Sequence, residues 1–189
     1  MKNSLNLPTL ETERLVLRPF AIADGRRVQQ LVGDRRVAEM TSQIPHPYPD
    51  RMAEIWIASH PMLWRNRKLA PFAVTLRGSG ELIGAVSLRL FAQGPRAELG
   101  YWIGVPYWNR GYCTEAAREV LRFGFEDLEL QSIQANHLLN NPASGRVMEK
   151  LGMRYEGILP HGGARYGRLL DVADYSLPAG NFSDHLRVA

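Results

Sequence analysis

The run Arg14-Leu15-Val16-Leu17-Arg18 carries the polar and apolar pattern of a short strand, and Pro19 ends it. Residues 24–34 place Val28, Leu31 and Val32 at helical spacing. Residues 41–50 hold Pro45, Pro47 and Pro49 and read as a loop. Residues 51–68 predict a helix with Met52, Ile55, Trp56 and Met62 as its apolar stripe, kinked or broken at Pro61. Three strand-like runs follow, 72–76, 82–91 and 97–105, punctuated by Gly78-Ser79-Gly80 and by Gly94-Pro95, and together they predict an antiparallel meander. Residues 114–125 form an amphipathic helix, with Ala116, Ala117, Val120, Leu121 and Phe125 on one face and Glu115, Arg118, Glu119, Arg122 and Glu126 on the other. A strand is expected at 131–137. A short helix then opens at Asn141-Pro142, turns Val147, Met148 and Leu151 inward, and stops at Gly152. Strands near 154–159 and 170–177 close the chain, with Gly162-Gly163 in the turn between them. This order describes an α+β (mixed α/β) domain.

Composition narrows the picture without naming a function. The chain has 189 residues, 45% hydrophobic and 22% charged, as expected of one soluble domain over 1–189. Its core is expected at about 12–178, with a flexible tail at 179–189. No apolar run approaches the roughly 20 residues that span a bilayer. Residues 1–8 lack a secretory pattern, so a cytoplasmic location is expected. The single cysteine, Cys113, excludes an intrachain disulfide and a cysteine-based metal cluster, and no metal is expected. The net charge of +4 suits a polyphosphate ligand but also an ordinary slightly basic protein. Nucleic-acid binding is disfavoured, because no basic run is interleaved with aromatic residues.

The feature that carries chemistry is the passage from the strand Glu98-Leu99-Gly100-Tyr101-Trp102-Ile103-Gly104-Val105 through Pro106-Tyr107-Trp108-Asn109-Arg110-Gly111-Tyr112-Cys113-Thr114 into a helix. Such a junction aims backbone N–H groups and the positive end of the helix dipole at one spot, which suits a phosphate. Gly111 permits a close approach, and Arg110 offers a charge-assisted contact. An ordinary strand–turn–helix junction would read the same way. No Gly-Lys-Ser/Thr follows, which excludes a P-loop, and the Gly-rich Rossmann fingerprint is absent.

Several blocks, taken in order, resemble the GCN5-related N-acetyltransferase (GNAT) superfamily, and within it the ribosomal-protein N-acetyltransferase-like (RimJ/RimL-type) branch. They are Thr12 to Pro19, Glu98 to Ile103, Trp108 to Ala116, Asn141-Pro142-Ala143-Ser144 and Glu149-Lys150-Leu151-Gly152-Met153. The resemblance runs from Leu10 to Tyr175. It implies a central, mostly antiparallel sheet flanked by helices, with splayed fourth and fifth strands. Those are here the strands ending near Val105 and starting near Gln131. It implies acetyl-CoA as cosubstrate and a primary amine as acceptor, either a protein N-terminus or a small molecule, attacked directly in a ternary complex. A non-catalytic CoA-binding or sensing module is the alternative. A homodimer fits the branch, though no feature of the sequence demands it. Trp108 and Cys113 depart from the family loop, which usually has Gln or Arg and then Gly or Ala at those places. The Cys113 thiol would tighten the site or make it sensitive to oxidation.

By the same resemblance, Ile103, Gly104 and Val105 would bind the pantetheine arm and polarise the carbonyl. Asn109, Arg110, Gly111, Tyr112, Cys113 and Thr114 would hold the pyrophosphate. Asn141 would contact the pantetheine while also capping its helix. Ser144 would stabilise or protonate the leaving thiolate, and otherwise is a polar residue of the first helical turn. Glu98 is the candidate general base, sharing a strand face with Arg96, Gly100 and Trp102. An ion pair with Arg96 or Arg89 is the competing role. His161 and water are alternative bases. Cys113 as a covalent nucleophile is set aside, because no His lies nearby in sequence, although a helix N-terminus lowers a thiol pKa. Tyr48, Trp56 and Trp64 are candidates to line the acceptor pocket, with plain packing the competing role.

Overall fold

The computed structural model describes residues 6–185, with side chains as far as Phe182. Expectations about residues 1–5 and 186–189 therefore lie outside the described residues. Eight strands form one sheet in the order β1-β2-β3-β4-β5-β6-β8-β7. They are β1 (Leu10–Glu11), β2 (Leu15–Arg18), β3 (Leu69–Leu76), β4 (Leu82–Leu90), β5 (Arg96–Ile103), β6 (Ser132–Leu138), β7 (Arg154–Arg165) and β8 (Arg168–Pro178). Six helices accompany them: α1 (Gly25–Val32), α2 (Arg35–Glu39), α3 (Met52–Arg65), α4 (Tyr112–Arg122), α5 (Pro142–Lys150) and α6 (Ala179–His185). No helix among the described residues is long and apolar enough to cross a membrane.

One strand pair sets the site. Every neighbouring pair is antiparallel except β5–β6. That parallel pair is held only by Arg96↔Ser132, Ala97↔Ile133 and Glu98↔Gln134. Beyond Glu98 the strands part, and the sheet opens into a wedge.

The strand pattern places two cores on the two faces of the sheet. On β5, Ala97, Leu99 and Ile103 join Ala116, Ala117, Val120 and Leu121 of α4 in the larger core. On the opposite face Val28, Leu31 and Val32 of α1 pack with Ala53 and Ile57 of α3. The register pairs Ala85↔Trp102, Ser87↔Gly100 and Arg89↔Glu98 put those six residues on this second face.

Four expectations need correction. In α3 the buried residues are Ala53, Ile57, His60 and Trp64, whereas Ile55 and Met62 are exposed. Apolar residues surround this helix, and its neighbours decide which stripe turns inward. Pro61 does not break α3, which continues to Arg65. It lies on the exposed face, where the missing hydrogen bond meets solvent. The last hairpin turns at Tyr166-Gly167, both at positive φ (48° and 73°), with Arg165↔Arg168 closing a two-residue loop. Gly162 and Gly163 lie within β7 instead, beside a register shift and against Val172. Finally, the chain is helical from Ala179 to His185, and Phe182 is buried with its ring 5.0 Å from Phe125.

Candidate active site

A cleft of about 1000 Å³ runs through the wedge and touches both faces of the sheet. On the α4 side its wall is the loop after β5. Asn109 (φ 60°) and Gly111 (φ 78°) are both left-handed there. A Cβ on Gly111 would meet only Arg14 Nη2, at 3.4 Å, so the backbone angle and not crowding calls for glycine. From Asn109 onward, the first amide with a carbonyl partner is that of Glu115, on Gly111 O. The amides before it stand at the open N-terminus of α4, as in any helix start. Arg14, just before β2, clamps this turn. It donates to Arg110 O at 3.0 Å and to Glu115 Oε2 at 2.7 Å, and lies over the Tyr112 ring at 4.8 Å. Thr12 Oγ1 adds a 2.6 Å bond to Glu115. Burial pushes the Glu115 carboxyl up, but the bonds from Thr12 and Arg14 outweigh it and hold the group below its ordinary value.

Ile103, Asn109, Gly111, Tyr112, Cys113, Thr114, Asn141 and Ser144 line the cleft, whereas Gly104, Val105 and Arg110 do not. The Gly104 amide donates to Ile83 O at 2.8 Å, and a Cβ on Gly104 would come within 2.6 Å of Leu31. Gly104 thus belongs to the β4 ladder and the α1 core. The alternation of that ladder turns the backbone groups of Tyr101 and Ile103 toward the gap. The Ile103 carbonyl is already taken by the Trp108 indole N–H at 2.6 Å. Trp108 thereby ties the loop to the end of β5.

Asn141 is engaged at both ends of its amide. Its Oδ1 accepts from the Ser144 amide at 3.2 Å, and its Nδ2 donates to Met40 O at 3.0 Å. This is the N-cap anticipated for α5, with a tether to the end of α2 added. Ser144 is buried, and its Oγ lies 2.9 Å from Tyr101 Oη, which also donates to Ser144 O at 3.1 Å. Burial raises the Tyr101 phenol far above its ordinary value, so it stays protonated. Tyr101 is the residue the sequence reading missed. Alternation put it on the inner face of β5, but nothing in the sequence tells that α5 brings Ser144 against it.

Glu98 sits at the apex of the wedge, on the second face. Its Oε2 accepts from Arg89 Nη2 at 2.6 Å, the ion pair weighed as the competing role. His161 does not line the cleft, and its Nδ1 lies 3.9 Å from Asp171 Oδ1. Burial pushes the Cys113 thiol up to about 12, so it is neutral at neutral pH, against the lowering expected at a helix N-terminus. Tyr48 and Trp56 line the cleft, whereas Trp64 is buried in the main core near Phe123. Among the described residues no group of three or more His, Cys, Asp or Glu is placed to hold a metal ion.

An eight-strand mixed sheet parted at its one parallel pair, with helices on both faces, defines the splayed-sheet class. Residues 14–154 match the model of the Acetyltransferase (GNAT) domain. The chain is 28% identical over 172 residues to the uncharacterized N-acetyltransferase p20 of Bacillus licheniformis, covering 90% of this chain and 96% of p20. It is 25% identical over 189 residues to the [ribosomal protein uS5]-alanine N-acetyltransferase of Escherichia coli, covering 95% and 89%. RimJ of Mycobacterium smegmatis, solved in complex with CoA-disulfide, has the same fold, with a TM-score of 0.82 at 20% identity over 96% and 94% of the two chains. The chain belongs to the GNAT acetyltransferase family. It is an acetyl-CoA-dependent acyltransferase.

Proposed function

We propose that this protein transfers the acetyl group of acetyl-CoA to a primary amine by direct attack in a ternary complex. The observation that carries this reading is the wedge beyond Glu98, because it joins two unlike surfaces. On one side lie the open amides at the start of α4 and the Ser144–Tyr101 pair. On the other lies Glu98, the only carboxylate lining the cleft among the described residues.

The residues divide the work accordingly. The amides of Gly111 to Thr114 and the dipole of α4 hold the pyrophosphate of the donor. Acetyl-CoA, when bound, supplies an activated thioester. The outward backbone groups of Tyr101 and Ile103 line the arm that leads to it. Ser144 Oγ, held by Tyr101, donates a hydrogen bond or a proton to the departing thiolate. Glu98 accepts the amine proton, directly or through water. The Arg89 contact orients Glu98, and it must loosen for this step. Gly104, whose amide serves the β4 ladder, has a lesser part, as do Val105 and Arg110, which do not line the cleft.

That same ion pair favours the alternative, a CoA-binding module without turnover. One assay separates them: CoA binding by calorimetry, alongside thiol release from acetyl-CoA with amines and N-terminal peptides. Binding with amine-dependent thiol release supports transfer. Binding without release from any acceptor supports the sensor, and absence of CoA binding overturns both. A cytoplasmic setting is part of the proposal. So is the homodimer expected from the resemblance, which sedimentation velocity tests.

A further inference from the structure

The acceptor side of the cleft has a composition that the transfer chemistry does not require. Five aromatic residues of the second core, Phe20, Tyr48, Trp56, Trp102 and Tyr107, are only half-buried, and all five line the cleft together with Ile44. Packing fixes their rings. Trp56 meets Phe20 edge-on at 5.0 Å and His60 at 4.4 Å. Tyr107 is anchored by its hydroxyl, which accepts from Arg27 and donates to Glu81 at 2.7 and 2.6 Å. Between Trp102 and Glu98 the floor of β5 carries only Gly100, with Ala85 and Ser87 beside it on β4. A trough with small residues on its floor therefore runs from the aromatic wall to the lone carboxylate.

The segment of residues 40–45, which also lines the cleft, is tied down. Tyr166 Oη at the β7–β8 tip accepts from the His46 amide at 2.9 Å. Arg165 donates to Glu39 O at 3.1 Å, and Asn141 to Met40 O at 3.0 Å. Residues 40–45 thus line the cleft under three cross-links from elsewhere in the chain, which suits a small ligand better than a folded protein's N-terminus.

We infer that the acceptor is a small primary amine bearing an aromatic group, its ring against Trp56 and Trp102 and its amine toward Glu98. This rests on the acetyl-transfer reading above. Aromatic faces attract the ring by burial and stacking, and they also attract the ammonium form in which the amine arrives. A small hydrophilic amine would leave the wall unfilled. A site of this kind discriminates by roughly 10- to 200-fold for the missing apolar group.

The test is thiol release from acetyl-CoA with phenethylamine and tyramine, set against propylamine, ethanolamine and peptides beginning with Ala or Ser. The expected result is a kcat/KM at least about tenfold higher for the two aryl amines. Trp56→Leu should remove most of that preference while CoA affinity stays unchanged, which shows the variant folded. Phenethylamine should also quench tryptophan fluorescence of the CoA-loaded protein, a readout independent of turnover. Equal or better rates with propylamine or with the peptides would overturn the aryl-amine assignment and leave acetyl transfer intact. CoA binding with no turnover of any amine would overturn both.

Discussion

The Ser144 hydroxyl lies 2.9 Å from Tyr101 Oη, and either oxygen can be the donor. When Tyr101 donates to Ser144 Oγ, the serine proton is free for the departing thiolate. When Tyr101 donates to Ser144 O instead, the serine proton points back at the phenol. Ser144→Ala should therefore lower kcat by about 100-fold, the lower end for loss of a positioned acid. Tyr101→Phe should lower it by about tenfold with little change in the KM for acetyl-CoA, since it only loses control of that proton. Steady-state kinetics of both variants check this, and a wild-type kcat in Tyr101→Phe would remove the pair from the mechanism. Glu98 poses a sharper choice. A partly exposed ion pair contributes about 0–1 kcal/mol to stability, so a purely structural Glu98 could be changed with little effect. As the base, Glu98→Gln should cost about 100-fold in kcat while CoA affinity holds. The residues of this site differ in how far sequence exposed them. Asn141 and the turn at Gly111 were legible because each has a local signature, and Ser144 only through the resemblance of Asn141-Pro142-Ala143-Ser144. Tyr101, Arg14 and the second tether on Asn141 were not, because each acts through a partner brought in from a distant part of the chain.

At the scale of elements, the apolar face of α4 packs in the larger core, and the Thr12–Arg14–Glu115 contacts pin its first turn. Glu115→Gln should weaken CoA binding severalfold and cost about 1 kcal/mol of stability, reduced from the usual value for charged hydrogen bonds because the site is partly exposed. Its carboxyl is held below the ordinary range, so its contribution is present at neutral pH and fades as pH falls through the lowered value. The helix α3 has the same sign for a different reason. His60 is buried between Phe20 and Trp56 with both ring nitrogens unpartnered, and burial lowers it to about 4. The unfolded chain takes up the proton first, near the ordinary value of 6.5, so stability is full above that pH and erodes toward 4. Thermal unfolding should show a lower Tm at pH 5 than at pH 7, and His60→Leu should flatten that dependence. An unchanged slope in the variant would place the titration elsewhere. The elements themselves were read from sequence with good order and imperfect facing. Periodicity found α3 but chose Met52, Ile55, Trp56 and Met62 as its inner stripe, of which only Trp56 packs against the core, because a largely apolar helix takes its orientation from its neighbours. Two adjacent glycines drew the last turn to 162–163. The two-residue loop with positive φ at Tyr166-Gly167 closes the hairpin, while Gly162 fits a crowded place inside β7.

At the scale of the whole molecule, function follows from a single interruption. Seven strand contacts hold the sheet, and the one parallel contact is only three residue pairs long. In the proposed transfer, the wedge beyond it is where a donor on the α4 face meets an acceptor on the aromatic face. The transfer proposed above has both ligands present at once, with no acetyl group resting on the protein. The neutral Cys113 thiol agrees with this, since a thiol pushed up to about 12 by burial presents little thiolate to attack an acyl group. Initial-velocity kinetics with acetyl-CoA and a turned-over amine varied together test the account most directly. Direct transfer in a ternary complex gives double-reciprocal lines that intersect. Parallel lines, with an acetylated protein recovered after incubation with acetyl-CoA alone, would contradict it.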